Sequence, residues 1–315
     1  MEWVSLACLR VGNRAGPAGW LNRLIAAGHF GSTWGSGDYL NRSGALATSS
    51  NGLASTTNTG TIRFRRKAPA TNEMYRMNLS ESWEAQAEQW IKWARTPGHD
   101  SYWRHHRDQF IRLLPPPGKR TVDIGCGEGR LTRHLKQLGH AVVGIDSSPS
   151  LVAAAREMDP SMAIVLANAA SIPLRDKCAD LAVAFMSLHD VDAMAAAVNE
   201  IARILVPGGR LCAAIVHPIN SSGRFEASAA DARFIIQGDY LGGFRYSQPE
   251  ERGGLSMTFH SQHRPLEAYF VALEEAGLLV EALREPRVPD EAVSSPAGRR
   301  WQRLPLFLHL RARRP

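Results

Sequence analysis

The chain has 315 residues, 44% of them hydrophobic and 21% charged, enough to build one large α/β domain with a full core and some peripheral segments. No run of 18 or more apolar residues reads as a membrane span, and because Arg10 stops the short apolar run after Glu2, secretion is not expected. Cys8, Cys126, Cys178 and Cys212 lie far apart, without the paired spacing of a zinc site or disulfide framework, so no metal and a reducing, cytoplasmic setting are expected.

The net charge of +7 is unevenly placed. Residues 1–77 hold nine basic and three acidic side chains, leaving the remainder nearly neutral, and a nucleic-acid partner is not expected. This first segment is dense in Gly, Ser, Thr, Asn and Ala and has no sustained period of 2 or 3.6. It reads as a disordered extension. Its composition suits a transit peptide or a translation start placed upstream of Met74 or Met77.

Order begins at Asn78, which stands at capping-box spacing from Glu81 before an amphipathic stretch with Trp83, Ala87, Trp90, Ile91 and Ala94 on one face. A second helix repeats through Trp103, His106, Phe110 and Leu113 until Pro115 to Gly118 end it. Residues 78–118 form an N-terminal helical lid in this reading. Strands are predicted at Thr121 to Ile124, Ala141 to Ile145, Met162 to Leu166, Ala179 to Met186 and Arg210 to Val216. The intervening helices are marked by Leu131 to Leu138, Ser150 to Met158 and Met194 to Leu205. This alternation predicts a mostly parallel, doubly wound sheet, with residues 119–217 as its ligand-binding core. Residues 218–264, polar and Gly-rich but interleaved with Phe225, Phe234, Tyr240, Phe244, Tyr246 and Phe259, predict an inserted cap. Residues 265–315 supply a helix from Pro265 to Ala276 and strands near Leu278 to Leu283 and Leu304 to Arg311.

The sharpest chemical signal is Val122-Asp123-Ile124-Gly125-Cys126-Gly127-Glu128-Gly129, a glycine turn between strand and helix that lets a ligand approach the backbone. The third glycine of a dinucleotide fingerprint, three positions after Gly127, is replaced by Arg130, which disfavours nicotinamide binding, and no Gly-Lys-Ser or Gly-Lys-Thr follows for a P-loop. Val142 to Asp146 adds an apolar strand ending in a carboxylate able to accept two bonds from a ribose diol. Together they describe a nucleoside site.

These residues resemble the class I, S-adenosylmethionine-dependent methyltransferases of the type 11 group. Val122 to Gly129 looks like their motif I and Asp146 like their ribose acid. Ser171 to Leu174, Ala179-Asp180 and Leu205-Val206-Pro207-Gly208-Gly209 are similar to the later motifs, and His263-Arg264-Pro265 through Pro286 to the tail of small-molecule members. The resemblance implies a Rossmann-like α/β fold with a seven-stranded sheet, and S-adenosylmethionine as cofactor with S-adenosylhomocysteine as product. It implies Asp123 near the amino-acid end, Gly125, Cys126 and Gly127 packed against the cofactor, and Asp146 with Ser147 at the ribose. Asn168 stands where the family usually has an Asp for the adenine amino group; Ala169 would lie beside adenine and Met186 would line the pocket. Arg95 is a candidate for the methionine carboxylate. Trp83, Trp90, Trp93 and Tyr102 are either a lid over the methionine or simple core, core being favoured for Trp83 and Trp90.

The acceptor must lose a proton if it is a hydroxyl or amine. His189, in Ser187-Leu188-His189-Asp190 at the carboxyl edge of the sheet, is the first candidate base, with Asp190 as orienter. His217 is the second, unless it only fixes the turn before Pro218. Without an Asn-Pro-Pro-Tyr or Pro-Cys signature, a small-molecule oxygen or nitrogen acceptor is expected, flat or apolar to suit the cap. The alternative is a non-catalytic cofactor-binding regulatory or assembly protein. Oligomeric state is not legible.

Overall fold

The computed structural model describes residues 77–293 and 296–315, so the expected extension over 1–77 falls, except for Met77, outside the described residues. The amino-terminal helices are α1 (Leu79–Ala85) and α2 (Ala87–Arg95). Asn78 and Glu81 form the expected capping box, with Glu81 N–H donating to Asn78 Oδ1 at 2.8 Å and Asn78 N–H to Glu81 Oε2 at 2.9 Å. The single helix expected here breaks at Gln86, whose φ of −101° and ψ of 3° leave the helical region. The break turns α2 so that Trp93 and Ala94 are buried.

The next helix also departs from a plain 3.6 period. Tyr102–His106 is a π-helical turn that runs into α3 (Arg107–Ile111). The extra residue in the turn buries Tyr102 and His106, while Trp103, expected on the inner face, is 48% exposed.

A seven-stranded sheet follows, with β1 (Thr121–Ile124), α4 (Arg130–Gln137), β2 (Val142–Asp146), α5 (Pro149–Met158), β3 (Ala163–Leu166), β4 (Ala179–Phe185), α6 (Met194–Ile204) and β5 (Leu205–Val216) in chain order. After β5 come α7 (Pro218–Ser221), the ribbon β6 (Gly223–Phe225) with β7 (Phe234–Ile236), and the hairpin β8 (Phe244–Arg252) with β9 (Leu255–His263). Then α8 (Leu266–Glu275), β10 (Leu279–Arg284) and β11 (Phe307–Arg313) close the sheet in the order β10-β11-β5-β4-β1-β2-β3. Strands β1 to β5 are parallel, and β11 runs antiparallel to both β5 and β10.

Strand order reverses between β1 and β4, which opens a crevice at the carboxyl ends of these two strands. Both are buried along almost their whole length, as expected for parallel strands covered on two faces. On one face Val198, Ile201 and Leu273 pack with Ile124 and Leu211; on the other Phe110, Leu131 and Leu135 pack with Leu181 and Val183. Each such side chain contributes about 1.5–3 kcal/mol by leaving water, so the crevice has rigid walls. Leu205, expected on the inner face of α6, instead opens β5 and is fully buried there. Residues 218–264, for which no individual strands were predicted, hold two antiparallel pairs, β6–β7 and β8–β9. Among the described residues no helix is long and apolar enough to cross a membrane.

Candidate active site

The crevice is a cavity of about 530 Å³. Its floor is the turn after β1. Gly125 has φ of +70°, and an added Cβ would stand 2.5 Å from that of Ser187; the Ser187 hydroxyl donates to the Ile124 carbonyl at 2.6 Å. The ends of β1 and β4 are thereby pressed together. At Gly127, with φ of +56°, an added Cβ would meet no backbone within 4 Å and only the Trp90 Nε1, at 3.4 Å. Here the backbone is left bare for a ligand.

Asp146 ends β2 beside this turn. It accepts the Gly127 N–H at 2.7 Å on Oδ2 and the Ser148 N–H at 2.9 Å on Oδ1, and it lines the cavity. Burial raises its pKa. Asp123 is 1% exposed and accepts the Thr132 hydroxyl at 2.7 Å; burial pushes its pKa up to about 7. Ser147, also on the wall, accepts a 2.9 Å bond from the Ser80 hydroxyl of α1.

Asn168 and Ala169 line the far side, and Asn168 Oδ1 accepts the Ala170 N–H at 2.8 Å, with a second lone pair left over. Cys126 is buried and reaches the cavity wall. Met186 sits at the end of β4 with φ of +53°, a strained conformation for a residue with a side chain, and also lines the cavity. Asp123, Gly125, Cys126, Gly127, Asp146, Ser147, Asn168, Ala169 and Met186 therefore converge on one space.

Arg95 does not join them. Its Nε pairs with Glu128 at 3.4 Å and its Nη2 donates to the Ala154 carbonyl at 3.0 Å, outside the cavity. The cation on the wall beside the glycine turn is Arg130, the residue that argues against a dinucleotide fingerprint. It pairs with Asp100, lies over the Trp90 and Tyr102 rings at 5.5 and 5.3 Å, and burial lowers its pKa to about 9. Its place directly after the glycine turn, at the start of α4, was the signal that could have found it.

Trp83, Trp90 and Trp93 all line the cavity, and each packs edge-on against Phe259 of β9, with centroids 6.4, 6.1 and 6.0 Å away. The preference for core at Trp83 and Trp90 is corrected: both are half-buried and form the roof with the hairpin. Tyr102 is the core residue, fully buried beneath Arg130.

His189 is 4% exposed and borders the cavity, held in a 3₁₀ turn whose carbonyls at 189, 191 and 192 accept from the Arg264 guanidinium at 3.4, 2.6 and 3.0 Å. Its Nε2 stands 3.6 Å from Asp190 Oδ1, too far for a hydrogen bond, and its Nδ1 is buried without a partner among the described residues. Burial, then Arg264, lowers its pKa to about 3, and burial raises Asp190 to about 8. Burial thus favours the uncharged form of each.

His217 is absent from the cavity wall. Its Nδ1 accepts the Ile219 N–H at 3.1 Å, capping α7, and its Nε2 lies 3.1 Å from Glu285 Oε1. With both nitrogens engaged, it fixes the turn and has no lone pair for an acceptor proton. Sequence reasoning also missed Tyr246 and Ser261 of the hairpin, which line the cavity near Asp190. Their pairing depends on β8–β9 register, which no local pattern announced.

Residues 122–213 match the family model described as a methyltransferase domain. An uncharacterized methyltransferase of Mycobacterium tuberculosis is 39% identical over 99 residues, 31% of this chain and 40% of the relative. A demethylmenaquinone methyltransferase of Corynebacterium kroppenstedtii is 35% identical over 116 residues, 37% of this chain and 49% of the relative. The matched stretch thus spans less than half the length of these relatives. The crystal structure of an S-adenosylmethionine dependent methyltransferase from Mesorhizobium loti superposes with a TM-score of 0.56 at 26% identity, over 68% of this chain and 98% of that one. The chain carries a class I, S-adenosylmethionine-dependent methyltransferase domain. S-adenosylmethionine is the cofactor of that class, and the glycine turn and the Asp146 carboxylate, together on the cavity wall, fit it.

Proposed function

We propose that this protein transfers the methyl group of S-adenosylmethionine to an oxygen or nitrogen of a small-molecule acceptor. The observation that carries the reading is the shared cavity: the glycine turn, Asp146 and the β4 edge open into the same enclosed space as His189 and the hairpin. Asp146 would hold the ribose, Asp123 the amino-acid end, and Asn168 and Ala169 the adenine. The cofactor supplies a methyl carbon already activated by its sulfonium. The protein's part is alignment and exclusion of water, for which the Trp83, Trp90 and Phe259 roof is suited. His189 borders the cavity, and the imidazole nitrogen that is not buried, Nε2, can accept a hydrogen bond from an acceptor O–H or N–H and orient its lone pair.

The test is incubation of the full chain with methyl-deuterated S-adenosylmethionine and a collection of small carboxylic acids, phenols and amines, read by mass spectrometry. A labelled product formed by the wild type and not by Asp146→Ala supports the reading. Cofactor binding with no labelled product from any class favours the non-catalytic alternative.

A further inference from the structure

A second part of the cavity wall lies away from the cofactor loop. The π-helical turn Tyr102–His106 displaces the chain by one residue relative to an α-helix, and Arg104 and His105 border the cavity while Tyr102 and His106 are buried. Across from them, β8 ends with Arg252, whose guanidinium donates to the His99 carbonyl at 2.6 Å and lies 5.3 Å from the Trp93 ring. Arg104 makes no hydrogen bond or ion pair among the described residues. His105 Nδ1 is likewise buried without a partner. Glu250 also reaches the wall, where its Oε1 accepts the Gln248 amide at 2.5 Å, and among the described residues it makes no ion pair with Arg104 or Arg252. The neighbouring acid, Asp100, is taken by Arg130.

Two guanidiniums and the His105 ring therefore border a shared space, with Trp301, Leu306 and Phe307 also on the cavity wall. We infer that Arg104, with His105 and Arg252, forms an anchor for an anionic group, a carboxylate above all, on the acceptor. Guanidinium and carboxylate match in charge and in fork geometry, and an anion there satisfies donors that the fold leaves unpaired. The mutual effect of the cations agrees. Burial and then Arg252 lower the pKa of Arg104, and burial followed by Arg104 and Arg252 lowers that of His105 to about 4. The apolar body of the acceptor would rest on Phe307 and Leu306.

The inference rests on the methyltransferase reading, and the experiment separates the two. S-adenosylhomocysteine is titrated into the full chain by calorimetry, and the loaded protein is then titrated with benzoate, 2-naphthoate and decanoate and with the three matching amides. At least one acid is expected to bind about tenfold or more tightly than its amide, the effect of one charge-assisted contact. Arg104→Gln should erase that preference without changing S-adenosylhomocysteine affinity, and Arg104→Lys should restore part of it. Equal binding of every acid and amide, or of none, by the loaded wild type overturns the anchor. So does loss of S-adenosylhomocysteine binding in a folded Arg104→Gln variant, which would give the arginine to the cofactor. Failure of the wild type to bind S-adenosylhomocysteine at all counts against the methyltransferase reading itself, and against the anchor if the acids also fail to bind.

Discussion

The Gly127 amide donates to Asp146 Oδ2 at 2.7 Å, so the glycine turn after β1 and the acid ending β2 hold one another in place. A residue that the resemblance assigns to the ribose is thus also a structural fastener. Asp146→Asn keeps one oxygen acceptor and should retain more stability than Asp146→Ala, which leaves the Gly127 and Ser148 donors unpaired at about 1–3 kcal/mol. Chemical denaturation of the three proteins checks the order.

Gly125 presents a steric test. With φ of +70° and the Ser187 Cβ 2.5 Å from where its own would stand, Gly125→Ala should lower stability by about 2–4 kcal/mol, combining backbone strain with overpacking. Adding Ser187→Gly removes the clash but not the strain. The double variant should recover part of the loss in thermal melts; no recovery would contradict the close approach of β1 and β4.

Asp123 should link cofactor binding to pH. Its pKa of about 7 means that below pH 7 it is mostly protonated, and a ligand ammonium that pairs with the carboxylate must then displace the proton. S-adenosylhomocysteine should bind more weakly as pH falls from 8 to 6. Calorimetry at pH 6.5 in buffers of different ionisation enthalpy should detect proton release, and Asp123→Asn should abolish it.

Buried histidines make stability depend on pH as well. His309 Nε2 lies 2.9 Å from His106 Nδ1, and burial holds the His309 pKa down at about 4. The unfolded chain takes up a proton near pH 6.5 that the folded chain takes up only near 4, so this group costs stability as pH falls through that window. The shift corresponds to about 3 kcal/mol. Asp123 and Asp190, with raised values, bind protons in the folded state and oppose the trend between about pH 4 and 8. The informative measurement is a difference: unfolding free energy should fall less between pH 6.5 and 4.5 in His309→Gln than in the wild type.

His217 separates a cap from a catalyst. His217→Asn preserves a good amino-terminal cap for α7 and should leave stability nearly unchanged, whereas His217→Ala should cost about 1 kcal/mol. Neither should change methyl transfer more than about twofold, the scale of an indirect effect. A tenfold loss in the asparagine variant would restore His217 to the active site.

The parallel strands and the cofactor turn were legible because their signals are local. A buried strand, a glycine turn and a terminal acid occur within 26 residues, from Thr121 to Asp146, and each needs only its neighbours to form. The roof was not legible for the opposite reason. Phe259 meets Trp83 and Trp90 across more than 160 residues, and the hairpin that delivers it carries polar residues on both faces. Arg95 and Arg130 show the same limit. Both are arginines near helix termini, and only the tertiary pairing of Arg95 with Glu128 and of Arg130 with Asp100 decides which one faces the cavity. The π-helical turn shifted the inner face from Trp103 to Tyr102, and that single-residue shift brought Arg104 and His105 to the cavity wall.

The most direct measurement is calorimetric titration of S-adenosylmethionine and S-adenosylhomocysteine into the full-length wild type and Asp146→Ala, with folding of each verified by circular dichroism. Both ligands should bind the wild type and bind the variant at least about a hundredfold more weakly, as expected when a buried carboxylate bonded to a ribose diol is removed. A folded wild type that binds neither ligand would contradict the account.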